Sequence, residues 1–291
     1  MNDRFGLLCI ADHLSAGELT DVALELERLG FDSIWLPELF GREPIATAGY
    51  LIARTTRLGV GTGIANVYAR DATAAALARR TLAELSGGRF TLGLGVSHPP
   101  IANARGHAWV PPVTKLRAYL DEMERATPQS PAPHTPAPLV IAAHGPKLLA
   151  LVAERADGAH TYLVTAEHTK RARAILGREK SLRVVLPFVP ETDPARARAA
   201  ARAGLAIYLQ FPAYHGLWRS LGLDEADWTG QASDRLIDAL VAWGDPDRIR
   251  ARAREYLDAG ATQIVLAPLQ RLRLAGALHD ALRALASGAR S

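Results

Sequence analysis

A chain of 291 residues that is 48% hydrophobic and 22% charged can bury a sizeable core, which excludes a disulfide-stapled module, a disordered segment and a collagen-like fibre. Its 34 basic and 30 acidic residues leave a net charge of +4. The arginines of Arg248-Ile249-Arg250-Ala251-Arg252-Ala253-Arg254 recur every second residue, with Asp245, Asp247 and Glu255 beside them, so they spread around a helix as a solvated face rather than a nucleic-acid stripe. No apolar run approaches the roughly 18 residues of a membrane span, and the polar start Asn2-Asp3-Arg4 is unlike a signal peptide. One cysteine, Cys9, sits in the apolar run Phe5 to Ala11 as a core residue, so no disulfide framework forms and a cytoplasmic setting is expected.

Short β-like runs alternate with alanine-rich amphipathic segments along the whole chain. Strand one is Phe5 to Ile10. The first helix runs from about Ser15 to Leu29, with Leu19, Val22, Ala23, Leu26 and Leu29 on one face and Gly30 as its stop. Strand two is Phe31 to Leu36, Pro44 opens the second helix, strand three is Leu58 to Ile64, helix three Ala72 to Leu85, and strand four Phe90 to Gly95. Helix four, Lys115 to Ala126, precedes a connector, Pro128 to Pro138, whose five prolines mark a surface spacer. Strand five is Leu139 to Ala143, helix five begins at Pro146, strand six is Gly158 to Leu163, helix six starts near Ala166, and strand seven is Arg183 to Val189. A helix from Pro194 leads into an insertion, 208–243, whose aromatic part runs from Tyr208 to Trp228. Strand eight, Thr262 to Ala267, and a last helix, Leu272 to Ala286, complete the count. Eight βα rounds of about 36 residues with no composition shift predict one (β/α)8 barrel, a TIM barrel spanning 1–291.

No phosphate loop, zinc helix or nucleophile elbow occurs, Gly59, Gly61 and Gly63 miss the dinucleotide spacing, and the nine histidines stand singly, so no metal site is expected. In such a barrel the chemistry sits where strands end. Four junctions are unusual: Trp35-Leu36-Pro37-Glu38-Leu39-Phe40, Gly61 to Asp71, Gly93-Leu94-Gly95-Val96-Ser97-His98, and Ala142-Ala143-His144-Gly145-Pro146-Lys147. In the last, Pro146 starts a helix whose free N–H groups suit an anion.

These junctions, together with Leu29-Gly30-Phe31-Asp32-Ser33-Ile34-Trp35, Leu85-Ser86-Gly87-Gly88-Arg89-Phe90 and Glu154-Arg155-Ala156-Asp157-Gly158-Ala159, resemble the luciferase-like monooxygenase superfamily, in its branch using the deazaflavin coenzyme F420. The resemblance covers nearly the whole chain. It implies a flat ring in the barrel mouth, and a non-proline cis peptide between Gly63 and Ile64 supporting the ring's face, with Ala65 and Asn66 completing that bulge. It places Val96 and His98 at the ring's polar edge or side chain, His98 as hydrogen-bond or proton donor, and His144 and Gly145 at the phosphate-holding turn. Thr161 and Tyr162 close the same pocket or merely pack at a strand end. Where many deazaflavin members carry an acidic residue followed by histidine, this chain has Glu38-Leu39: the carboxylate stays available to the ring edge or to proton transfer, with a cap or ion pair as its alternative, and the histidine role has no holder.

The resemblance thus implies an oxidoreductase moving a hydride between F420 and a small organic substrate, with His98 and Glu38 as catalytic candidates. Phe40, Tyr208, Tyr214 and Trp218 are candidate substrate-wall residues; the insertion that carries the last three is a lid over the ring or a dimer contact. The expected partners are the substrate and a second copy of the chain in a homodimer, with no nucleic acid and no membrane. An FMN-dependent monooxygenase on the same barrel and a non-catalytic flavin-binding barrel are the two alternatives.

Overall fold

A computed structural model describes residues 5–287; the start Asn2-Asp3-Arg4 lies outside them. Eight parallel strands close into a barrel: β1 (Phe5–Leu8), β2 (Ser33–Leu36), β3 (Gly59–Thr62), β4 (Phe90–Gly95), β5 (Leu139–Ala142), β6 (Gly158–Tyr162), β7 (Ser181–Val189) and β8 (Gln263–Pro268). Each pairs with the next, and β8 returns to β1 through Phe5↔Ile264, Gly6↔Val265 and Leu7↔Leu266. The (β/α)8 barrel expected from the alternation is the observed fold.

The intervening helices are α1 (Ala16–Leu29), α2 (Pro44–Ile52), α3 (Ala72–Leu85), α4 (Pro99–Ala104), α5 (Pro112–Arg125), α6 (Pro146–Arg155), α7 (Ala166–Leu176) and α8 (Pro194–Leu205). The insertion adds α9 (Pro212–Ser220), α10 (Glu225–Trp228) and α11 (Asp234–Leu240); α12 (Pro246–Asp258) and α13 (Gly276–Ser287) flank β8. The starts are chemical: Ser15 and Glu18 form a capping box on α1, Asp71 caps α3, Asp193 caps α8, and Gly30 ends α1 in the left-handed region at φ 88°. No described helix is long and apolar enough to cross a membrane.

Alternation along the strands divides the core into two layers. Leu7, Ile34, Leu92 and Ile264 belong to the large outer core beneath the helices, while Leu8, Trp35, Val140, Val185, Val265 and Ala267 fill the barrel interior. Trp35 has room there because its neighbours lack side chains: a Cβ at Gly61 would lie 2.5 Å from the indole, and one at Gly6 2.9 Å from its Nε1. The indole N–H donates to Ser33 Oγ at 2.8 Å, and the half-buried Arg183 guanidinium lies 5.2 Å from the ring. Cys9, just past β1, is wholly buried, and burial pushes its thiol up to about 12.

Several expected boundaries move. Strand three stops at Thr62 and resumes as the pair Ala65–Asn66 against β4, because the chain bulges between them. Helix four starts at Pro112 rather than Lys115, and the short α4 was not expected. Strand six ends at Tyr162, where Leu163 takes φ 55°. The last helix starts at Gly276, not Leu272; Leu272 is buried and its carbonyl accepts a bond from the His13 ring at 3.0 Å, which holds that stretch as a loop.

Candidate functional site

The ends of β3 to β6 converge at the carboxyl end of the barrel. The Gly63–Ile64 peptide is cis, as the resemblance implied. Glycine is required around it: a Cβ at Gly95 would lie 2.7 Å from the Ile64 side chain, so β4 leaves space for it. The bulge is braced from β2, with Gly63 N–H donating to the Leu36 carbonyl at 2.8 Å and Glu38 N–H to the Ile64 carbonyl at 3.1 Å.

Glu38 holds the other end through its side chain. Its Oε2 accepts from Asn66 N–H at 2.7 Å and from Arg70 Nη1 at 2.8 Å, and its Oε1 lies 3.5 Å from Arg105. Arg70 also reaches Glu43 at 2.7 Å. With side chains only 6% and 12% exposed, Glu38 and Arg70 form a shielded ion pair. Glu38 thus ties the bulge at Asn66 to Arg70. Asn66 is buried, accepts from Tyr68 N–H at 2.9 Å, and leaves its Nδ2 without a partner among the described residues.

Past β4, Ser97 turns the chain with φ 60°; it and Leu163 are the non-glycine residues with left-handed φ among those described, and both lie at strand ends on this mouth. The turn delivers His98, whose carbonyl accepts the first free N–H groups of α4 at 3.0 and 3.1 Å. Its ring lies flat on Phe211, centroids 3.9 Å apart and 6° between planes, and Tyr214 is 5.6 Å away. Burial pushes His98 down to about 4, so it is neutral at pH 7, and its Nδ1 has no hydrogen-bond partner among the described residues. Val96 is buried beside this turn.

Just past β5, the His144 ring accepts the Tyr162 N–H at Nε2, 3.2 Å, which leaves its proton on Nδ1. Burial and the nearby His168 push it down to about 3. Gly145 caps α6 with no side-chain partner, is exposed, and has no atom within 4 Å of the place its Cβ would take, so the backbone at the start of that ten-residue helix is open beside the exposed Lys147.

The insertion packs onto these strand ends. Phe211 meets His98, Tyr214 lies 5.8 Å from His144, and Tyr208 meets Tyr162 edge-on at 5.1 Å. Trp218 is fully buried and donates to the Leu163 carbonyl at 3.3 Å, so it anchors the insertion rather than lining a surface. Across the Tyr162–Tyr208 wall, at the ends of β1 and β8, lies a cavity of about 200 Å³.

Gly63, Ile64, Ala65, Asn66, Val96, His98, His144, Gly145, Tyr208 and Tyr214 thus gather at one mouth. Thr161 does not join them: it is wholly buried and its hydroxyl turns to the Arg183 carbonyl on β7. Phe40 is 71% exposed on the loop after β2, with no ring neighbour among the described residues. Two contributors escaped the sequence reading. Phe211 was one aromatic among several, and His160 was simply a strand residue; its ring is buried 5.1 Å from Trp35, has no hydrogen-bond partner at either nitrogen among the described residues, and is pushed down to about 3 by burial. An imidazole inside the strand run Gly158-Ala159-His160-Thr161-Tyr162 was the available signal. No group of metal-ligating side chains occurs among the described residues.

The chain is similar to known proteins in sequence and in fold. The chain is 28% identical over 284 residues to the 5,10-methylenetetrahydromethanopterin reductase of Methanolobus tindarius, covering 82% of this chain and 86% of the relative. Its fold matches the coenzyme F420-dependent tetrahydromethanopterin reductase of Methanopyrus kandleri with a TM-score of 0.77 at 18% identity, over 98% of both chains. The EDTA monooxygenase of Chelativorans sp. BNC1 matches equally well, TM-score 0.77 at 14% identity over 100% of this chain and 94% of that one. The model of the luciferase-like monooxygenase family matches residues 4–263. The chain belongs to the luciferase-like monooxygenase family.

Proposed function

We propose that the chain is an oxidoreductase that transfers a hydride between coenzyme F420 and a small organic substrate. The observation that carries this reading is the pairing of a glycine-cleared bulge with two buried polar atoms, Asn66 Nδ2 and His98 Nδ1, that no group among the described residues satisfies. A flat heterocycle with polar edges supplies such partners, and the open N-terminus of α6 at Gly145 suits its anionic tail. The mouth residues therefore fit a deazaflavin, and 27% identity over 303 residues to a putative coenzyme F420-dependent oxidoreductase of Mycobacterium tuberculosis supports that choice over other ring cofactors.

A deazaflavin held there would supply the hydride chemistry, giving or taking the hydride at its C5. The protein's share is position and proton handling. Gly63 to Asn66, held by Glu38, fix one side of the site, and His144 and Gly145 shape the phosphate end. His98, uncharged at neutral pH, offers a hydrogen bond at Nδ1 and is the group that gives or takes a proton at the substrate. Glu38 is a positioning residue. Tyr208, Phe211 and Tyr214 form a lid that keeps water from the mouth.

Titrating the purified protein with F420 and with FMN, each followed by ligand fluorescence, tests the reading. Binding of F420 well below the affinity limit of FMN supports it. Tight FMN with no F420 binding would place the chain with monooxygenases such as the EDTA enzyme. F420 binding without hydride transfer across alcohols, imines and enones would leave a cofactor-binding barrel. His98→Ala should lower turnover more than F420 affinity; equal activity would remove His98 from the site.

A further inference from the structure

The cavity at the ends of β1 and β8 is walled by Leu8, Ala267, Leu269 and Leu272 and bounded on the mouth side by Tyr162 and Tyr208. Burial holds both phenols protonated at neutral pH, so that wall offers hydroxyl groups and no negative charge. The outer rim is different: His13, Gln270 and Arg271 are exposed there, and no aspartate or glutamate lines the space.

Arg271 differs from the other arginines near the barrel ends. Arg70, Arg155 and Arg198 hold carboxylates and Arg42, Arg89 and Arg173 hold backbone carbonyls, whereas Arg271, which lines the cavity, has neither an ion pair nor a hydrogen bond among the described residues. The His13 ring is committed to the Leu272 carbonyl at 3.0 Å, which ties down the loop that carries Arg271. An apolar interior closed by one unpaired guanidinium matches a molecule with one negative end and a hydrocarbon body.

Size narrows the class. At 200 Å³ the space lies below the roughly 300–1,000 Å³ of drug-sized ligand pockets and equals the volume of about seven waters. Position adds a second constraint, because Tyr162 both walls the cavity and donates its N–H to His144 on the other side of the mouth.

We propose that this cavity binds a short-chain carboxylate, an apolar body of about six carbons lying along β1 and β8 with its carboxylate on Arg271. That this carboxylate is the enzyme's substrate class rests on the hydride-transfer reading; that it binds does not, and is measured without cofactor.

The experiment is calorimetric titration of the cofactor-free protein with hexanoate, 1-hexanol, hexylamine and hexyl phosphate. Hexanoate should bind at least about tenfold more tightly than hexanol, and hexylamine not at all. Arg271→Gln, at an exposed position, should weaken hexanoate about tenfold and leave hexanol unchanged. No hexanoate binding, equal affinity for hexanol, tighter binding of hexyl phosphate, or an Arg271→Gln protein that binds hexanoate like the parent would each overturn the proposal. Failure of F420 to bind the same preparation would overturn the hydride-transfer reading while leaving the hexanoate result standing.

Discussion

Replacing Glu38 by glutamine separates the clamp from a proton-transfer group. The change keeps shape and one oxygen for Asn66 N–H but removes the charge facing Arg70 at 2.8 Å. Stripping one partner from a buried ion pair costs about 3–5 kcal/mol. Arg70 retains Glu43 at 2.7 Å, so the expected loss of stability is smaller, about 2 kcal/mol. For a chain of this length that lowers the melting temperature by about 4 °C. The bulge loosens with it, and F420 affinity should fall about tenfold, equivalent to about 1.4 kcal/mol. Thermal melts followed by circular dichroism and a fluorescence titration measure both. Turnover of the saturated variant should keep the parent's pH profile. A melting temperature unchanged within error, together with loss of one limb of the pH–rate profile, would refute the clamp and restore Glu38 as a proton-transfer group.

Other outcomes follow from the same geometry. Burial depresses His98 to about 4 and His144 and His160 to about 3, whereas unfolded histidines titrate near 6.5, so the unfolded chain binds more protons between those values. Stability should therefore fall as pH drops from about 6.5 toward 3, and the urea midpoint of His160→Asn should show a shallower slope than the parent. A parent midpoint that is flat from pH 7 to 4.5 would contradict the buried, neutral imidazoles. Gly93→Ala places a Cβ 2.0 Å from the Thr62 carbonyl oxygen, rigid backbone that cannot yield, and should abolish soluble expression at a cost above about 4 kcal/mol. Gly145→Ala meets no atom within 4 Å and should melt like the parent, yet weaken F420 about tenfold if the tail approaches that backbone; unchanged affinity would move the tail elsewhere.

The fold was legible because each barrel strand is a short apolar run bounded by a stop or a cap that the residues themselves announce. Ser15, Pro44, Asp71 and Pro146 start helices where their chemistry requires, and Phe90 to Gly95 is a strand with those limits. Less legible was anything set by contacts between distant segments. The break in strand three depends on Glu38 and Gly95 reaching Ile64 and Asn66 from neighbouring strands, and the loop at Leu272 depends on His13, 259 positions earlier. In the site, the glycines and His98 could be picked out by type and place. That Glu38 would be spoken for by Arg70, that Trp218 would serve as an anchor, and that Phe211 would be the ring lying on His98 are facts of side-chain packing, which one-dimensional spacing does not encode.

The burial of Cys9 makes the protein chemically silent toward thiol reagents. The chain's single thiol is shut inside β1's neighbourhood and resists ionising, so maleimides and oxidants should pass it by. A cysteine introduced at Gly145 or Phe40 would then be the sole labelling point. Reporter dyes could be set on either side of the mouth, one at a time, in otherwise unaltered protein.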